Sequence, residues 1–242
     1  MIFFFGTRRM GTVYVVGNAR IETEFMCVNA LPIFPLRSRL LVLEKSGEPV
    51  VDHTLALVPI SVVAGYLRAW TLIGVLFALL GGLTRIARRD PTGPVLIFAA
   101  IALVLVMAWA WLRLGKLSGD EAARLRIYAE HVEHPIDIAL LRADEVERLR
   151  EPLMNAIAAQ SPALMSATYR TAVTAWESIA LDPAVRDREY LGAALTLARV
   201  EETRARDAGI RARFARTHDA IWAKLKAMGD APEPAREAAR SE

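Results

Sequence analysis

The sequence predicts an integral membrane protein of mixed class: a small β-rich segment, a two-helix transmembrane hairpin and an α-helical soluble domain. Three observations predict it. Two apolar runs, residues 62–83 and 95–114, are separated only by the polar stretch 84–94, and each is long enough as a helix to cross a hydrocarbon core of about 30 Å. The residues before them are rich in β-branched and aromatic types punctuated by glycine, and those after them change to the periodicity of amphipathic helices. The expected divisions are 1–58, 59–116, 117–229 and a disordered tail, 230–242.

In the first segment, candidate strands cover 2–5, 12–16, 20–28 and 39–44, separated by Gly6, Gly17-Asn18 and Gly47. Their composition favours a small antiparallel sheet or barrel. Cys27 is the single cysteine of the chain, so no intramolecular disulfide is available and a reducing compartment is favoured. Residues 1–5 are too short, and too soon followed by Arg8 and Arg9, to form the apolar region of a signal peptide, so the hairpin itself is expected to direct insertion.

The opening Phe3-Phe4-Phe5-Gly6-Thr7, with Leu31-Pro32-Ile33-Phe34-Pro35-Leu36-Arg37-Ser38 read as a turn, resembles the start of bacterial membrane-anchored zinc-ribbon-like proteins. In that family two Cys-x-x-Cys pairs hold a metal. This chain has neither pair, so the resemblance implies a version of the module that has lost its zinc, since a lone cysteine cannot build a tetrahedral Cys₄ site.

Within the anchor, Pro59 suits the first turn of a helix, and Arg68 interrupts the first run. An arginine at mid-bilayer costs roughly 2.5–3.5 kcal/mol on insertion scales. No Asp or Glu lies in either run to pair with it, which favours snorkelling to the interface beside Tyr66 and Trp70 over pairing with an acid or a lipid phosphate. Trp109 and Trp111, followed by Arg113 and Lys116, have the arrangement of an interfacial aromatic belt with a basic flank. Two crossings return the chain to the side it left. The loop carries Arg85, Arg88 and Arg89, the far flank Arg113, Lys116, Arg124 and Arg126, a slight positive-inside bias towards a cytoplasmic C-terminus. Arg68, Arg85, Arg88, Arg89, Arg113 and Lys116 are therefore the candidate membrane or partner contacts. Gly81-Gly82 lacks the four-residue spacing of a helix-dimerisation motif.

In the last segment, Ser118-Gly119-Asp120-Glu121 has the form of a capping box, which starts a helix ending near His134 before Pro135. A second helix is expected over 140–160 with a kink at Pro152. Ser161-Pro162 and Asp182-Pro183 read as cap and first-turn pairs of a third and a fourth, with a mostly helical stretch over 187–228, Gly209 a possible break and Gly229 a stop. Tyr190, Leu191, Ala194, Leu195, Leu197, Ala198, Val200, Ile210, Phe214, Ile221, Trp222 and Leu225 recur at core-facing spacing for a small bundle. No 34-residue repeat is present.

Glu130, His131 and His134 form the one cluster with metal-ligand types. Their spacing matches neither His-Glu-x-x-His nor paired Glu-x-x-His, so they read as a solvated helix end. Arg204, Arg206, Arg211, Arg213 and Arg216 are interspersed with acids and read as an ion-paired face rather than a binding stripe. The net charge of +3 divides unevenly: the first 117 residues carry 12 basic and 6 acidic side chains, the rest 18 and 21. A basic excess beside an anchor suits anionic headgroups better than nucleic acid. With no phosphate loop or nucleophile motif, the expectation is a non-enzymatic scaffold or interaction module of a bacterial inner membrane, without cofactor. Its expected partners are the bilayer and a protein or a second copy. The alternatives are a subunit of an oligomeric assembly or pore and, last, a metal-dependent enzyme.

Overall fold

The computed structural model describes residues 5–43, 49–164 and 175–229. It forms two compact units, Met1–Leu117 and Ser118–Glu242, each taken by itself below.

The first unit opens with four antiparallel strands, β1 (Phe5–Val16), β2 (Ala19–Val28), β3 (Leu31–Leu43) and β4 (Pro49–Leu55), paired in chain order as an open sheet. The β2–β3 hairpin turns on Asn29 and Ala30, both at positive φ (49° and 68°), the backbone of a type I′ turn. Where the sequence suggests separate strands at 2–5 and 12–16, one strand runs from Phe5, and Gly11 at φ +72° forms a bulge in it instead of a break. Residues 2–4 and Gly47 lie outside the described residues.

The Pro32–Pro35 stretch, expected as a turn, lies inside β3. Two register shifts against β2 take up the prolines, and β4 pairs with β3 only from Ser38 onward. The prolines therefore sit where β3 has one neighbour and a missing N–H breaks no second ladder. β4, with Asp52 and His53 in its middle, went unforeseen.

Two helices follow, α1 (Pro59–Ala87) and α2 (Gly93–Leu112), joined by a short turn. Both are long and apolar enough to cross a membrane. They pack antiparallel through small residues: a Cβ on Gly82 would meet Ile97 Cδ1 at 2.7 Å, and one on Gly93 would meet the backbone N of Ile86 at 2.8 Å. Gly74, eight residues before Gly82 and so on the same face, rests against Leu103. Close approach through glycine is the usual way for helices to associate without a hydrophobic drive.

The 29 residues of α1 outrun the 20 of α2 by nine, or about 13 Å of helix. Those extra turns carry the sheet. Ala64 is fully buried, Gly65 lies under the Phe25 ring, and Phe25 meets Tyr66 edge-on at 5.3 Å. Ser61 Oγ accepts from Thr23 Oγ1 (2.8 Å) and donates to Gly11 O (2.7 Å), while Ser38 Oγ accepts from Val58 N (2.9 Å). Each of these buried polar groups thus has a partner. Sheet and hairpin, expected as separate domains, form one unit.

The second unit contains α3 (Gly119–Val132), a short 3₁₀ turn (Ile138–Leu140), α4 (Ala143–Leu164), α5 (Ala175–Leu181), α6 (Arg188–Arg204) and α7 (Ala208–Ala227). The Ser118–Glu121 capping box is formed in both directions. Tyr190 to Val200 is buried throughout except for Arg199, so α6 is the central helix. Several boundaries differ from expectation. α4 continues past Pro152, which lies on its exposed side, and past 161–162, so no new helix starts there. Asp182-Pro183 makes a turn; the cap of α6 is Asp187, whose carboxylate accepts from Tyr190 N at 3.0 Å. The break before α7 falls at 205–207, not at Gly209, because Asp207 caps Ile210 N. Ile210 consequently sits in the first turn of α7 and is exposed, unlike the other expected core positions. Gly229 at φ +71° follows the last helix as a stop. The tail 230–242 and residues 165–174 lie outside the described residues.

Candidate functional site

A cleft of about 760 Å³ opens where β1, the middle of α1 and the segment after α2 meet. Its polar wall consists of Arg8, Arg9, Thr12, Arg68 and Lys116, and its apolar wall includes Trp111 and Leu114. Two glycines make this meeting possible. Gly115, at φ +77°, turns the chain leaving α2 back onto β1, where Tyr14 N donates to Gly115 O at 2.8 Å. A Cβ there would stand 2.2 Å from Val13 Cγ1. Gly11 likewise lets the β1 bulge touch α1, since its Cβ would stand 2.0 Å from Ser61 O.

Arg68 holds the three elements together. Its Nε donates to Ala110 O (3.2 Å), Nη1 to Thr12 O (2.9 Å), and Nη2 to Ala110 O (3.1 Å) and Leu114 O (3.2 Å), with the guanidinium carbon 5.0 Å from the centre of the Trp111 ring. Ala110 O belongs to the last turn of α2, whose carbonyls lack intrahelical donors and carry the negative end of the helix dipole, and Leu114 O lies just beyond the helix cap at Arg113. The expectation of snorkelling beside Tyr66 and Trp70 places Arg68 at the correct end of the hairpin but misses these partners. Tyr66 and Trp70 instead donate to Ile33 O (2.7 Å) and Pro32 O (3.3 Å), carbonyls of the proline-rich part of β3.

No carboxylate occurs among the described residues lining the cleft. The acids of the sheet have partners of their own: Glu22 pairs with Arg20 (2.9 Å) and accepts from the lining Thr12 Oγ1 (2.9 Å), Glu24 pairs with Arg37 (2.7 Å) and Arg39 (3.2 Å), and Asp52 with Arg39 (2.7 Å) and the lining Arg9 (3.0 Å). The hydrogen bond from Arg37 holds the Glu24 carboxyl below its ordinary range, and that from Arg39 does the same for Asp52. Both stay ionised near neutral pH, and Asp52 compensates the charge of Arg9 at the rim of the cleft.

The other candidate basic residues fall at two ends. Arg113 and Lys116 are exposed beside the cleft, whereas Arg85, Arg88 and Arg89 are exposed at the hairpin turn, where Arg85 donates to Thr92 Oγ1 (2.6 Å). The metal candidates do not converge. Glu133 takes a left-handed backbone that ends α3 before His134, so the helical spacing between His131 and His134 is lost. Glu130 is exposed, and His131 Nε2 is buried without a hydrogen-bond partner among the described residues, against Gly192. Among the described residues no three His, Cys, Asp or Glu side chains lie close enough to hold a metal. In the arginine-rich stretch, Arg204 pairs with Glu147 and Glu201, and Arg213 with Glu177, as expected of an ion-paired face.

A polar cluster inside the second unit was not foreseen. Tyr128 Oη lies 2.6 Å from His218 Nε2, and Arg199 bridges Asp137 (2.7 Å) and Glu202 (2.9 Å). Burial, then Arg124 and Arg199, pushes the His218 ring below the ordinary histidine value. Its members are spread over 90 residues of chain, and no local spacing announces them.

Fold and site together define a small open sheet built onto an apolar helical hairpin, followed by a separate helical unit. Compared with protein families, curated proteins and solved structures, the chain matches none.

Proposed function

We propose that this chain is a membrane-anchored, non-catalytic scaffold or interaction module of a bacterial inner membrane, with α1 and α2 as its anchor. The carrying observation is the exposure of the two helices: only 22% and 11% of their most apolar stretches are buried. Leu72, Phe77, Val95, Phe98 and Leu105 are each more than half exposed, a surface that water penalises and lipid tails accept. The 20 residues of α2 give about 30 Å of helix, the thickness of a hydrocarbon core. Sheet and helical unit then face one aqueous phase. Arg8, which lines the same cleft as Lys116, adds to the positive-inside bias and supports the cytoplasm as that phase. The sequence resemblance to membrane-anchored zinc-ribbon-like proteins is in keeping with this reading.

The test is alkaline extraction of membranes carrying the full chain, together with a reporter fused after Glu242. Retention in the pellet and activity of a cytoplasmic reporter are expected. Release into the supernatant overturns the anchor, a reporter active only outside overturns the orientation, and turnover of a substrate by the purified chain overturns the non-catalytic assignment.

A further inference from the structure

We propose that the Arg8–Arg68–Lys116 cleft binds the phosphate of an anionic phospholipid headgroup, an inference that rests on the membrane reading above. Four cations line it from three elements; Arg9 is paired with Asp52 (3.0 Å), while Arg8, Arg68 and Lys116 have no carboxylate beside them among the described lining residues. Arg68 is the centre of the site. Four of its five N–H donors are engaged by neutral carbonyls, so its orientation is fixed while its charge is uncompensated and one Nη1 proton remains free to donate. Arg8 and Lys116 are exposed and have no carboxylate partner among the described residues. A held guanidinium flanked by two exposed cations is a fitting receptor for a phosphodiester.

The depth of the cleft separates a lipid from a dissolved anion. Arg68 and Trp111 lie where α2 ends, at the edge of the span, and Trp109 and Trp111 are exposed there as belt residues. Met10, Val13, Leu114 and Leu117 line the same cleft and give a phosphate bearing acyl chains an apolar surface that inorganic phosphate cannot use. The carbonyls nearby are already occupied by Arg68, so the cleft offers a cation little.

The experiment uses the full chain purified in neutral detergent at low salt, titrated with dihexanoyl-phosphatidylglycerol, dihexanoyl-phosphatidylcholine or inorganic phosphate, and followed by tryptophan fluorescence. Saturable binding of the glycerol lipid alone is expected. Arg8→Gln and Lys116→Gln, both at exposed positions, should each weaken it about fivefold and together about 25-fold, whereas the paired change Arg88→Gln/Arg89→Gln at the hairpin turn should leave it unchanged. Equal binding of the choline lipid overturns the proposal. So does an equal loss in the Arg88/Arg89 variant, which would mean bulk charge, and so does inorganic phosphate competing at the same concentration, which would mean a dissolved anion. Alkaline extraction of the same variants keeps the two readings apart: retention in the membrane without selective binding refutes the cleft alone, and release refutes the anchor beneath it.

Discussion

Replacing Arg68 with methionine tests whether the arginine is a structural clamp within the anchor. The change keeps a long apolar stem and removes four hydrogen bonds to three carbonyls. Ala110 is fully buried, so its carbonyl loses a partner that water cannot easily replace, at about 1–3 kcal/mol. Thr12 and Leu114 are half-buried, and water recovers part of what their carbonyls lose. The stacking of the guanidinium over Trp111 contributes about 0.5–1 kcal/mol more. Against these stands the relief of no longer desolvating a cation, which leaves a net destabilisation of about 2–4 kcal/mol. Arg68→Lys keeps the charge but lacks the planar fork that spans three acceptors, and should fall about midway. Denaturant titration of the full chain in detergent, following the transition of the sheet-and-hairpin unit, gives the numbers. A methionine variant within about 0.5 kcal/mol of the parent would show that the carbonyls are satisfied without Arg68 and would refute the clamp.

Other perturbations check separate parts of the structure. Gly115→Ala places a Cβ 2.2 Å from Val13 Cγ1 at φ +77° and should cost about 2–4 kcal/mol in the same titration; a neutral result would mean that the α2–β1 junction is not as drawn. Pro152→Ala restores a backbone donor inside α4 and should stabilise the helical unit by about 1–3 kcal/mol in thermal unfolding, whereas a loss of stability would mean that the helix does not run through this point. His131 and His218 both titrate below the ordinary histidine value of about 6.5, chiefly through burial. The unfolded chain therefore gains protons that the native rings refuse. Stability of the helical unit is fully present above pH 6.5 and declines as the pH falls below it; urea midpoints equal at pH 7.5 and 5.5 would contradict the burial of these rings.

The parts legible in the sequence are those set by local pattern. The hairpin was legible from the length of two apolar runs, α3 from Ser118 and Glu121, and the core of α6 from the spacing of Tyr190 to Val200. The capping aspartates were harder to choose among. Asp182-Pro183 and Asp187 are both plausible helix starts, and what decides is where the buried run begins, because a helix begins where its core face can be covered. β3 shows the converse failure: its prolines argue for a turn until it is known that β4 stops short of them. Arg68 was conspicuous, yet its partners were not, because a backbone carbonyl has no signature in side-chain sequence. The cleft gathers Arg8, Arg68 and Lys116 across more than 100 residues, and the glycines at 11 and 115 that permit so close an approach stand in no pattern that the sequence reading singled out.

The nine residues by which α1 outruns α2 connect these observations. Had the helices been of equal length, the sheet would hang from the hairpin by a loop, and the orientation of β1 against the helices would be free. Instead Ser61, Ala64 and Gly65 bury the first turns of α1 in the sheet, and the same helix continues without a break into the apolar span. Arg68 stands at the boundary and ties the end of α2 to β1. The depth of the cleft relative to the span is then a property of one helix, fixed by counting residues from Pro59. An extra helical turn inserted between Gly65 and Arg68 would preserve the composition of both halves and leave Ala110 O, on the hairpin side, in place, but withdraw Thr12 O of β1 from the guanidinium by about 5 Å. Hairpin and sheet could each survive that insertion, and the proposed headgroup binding could not.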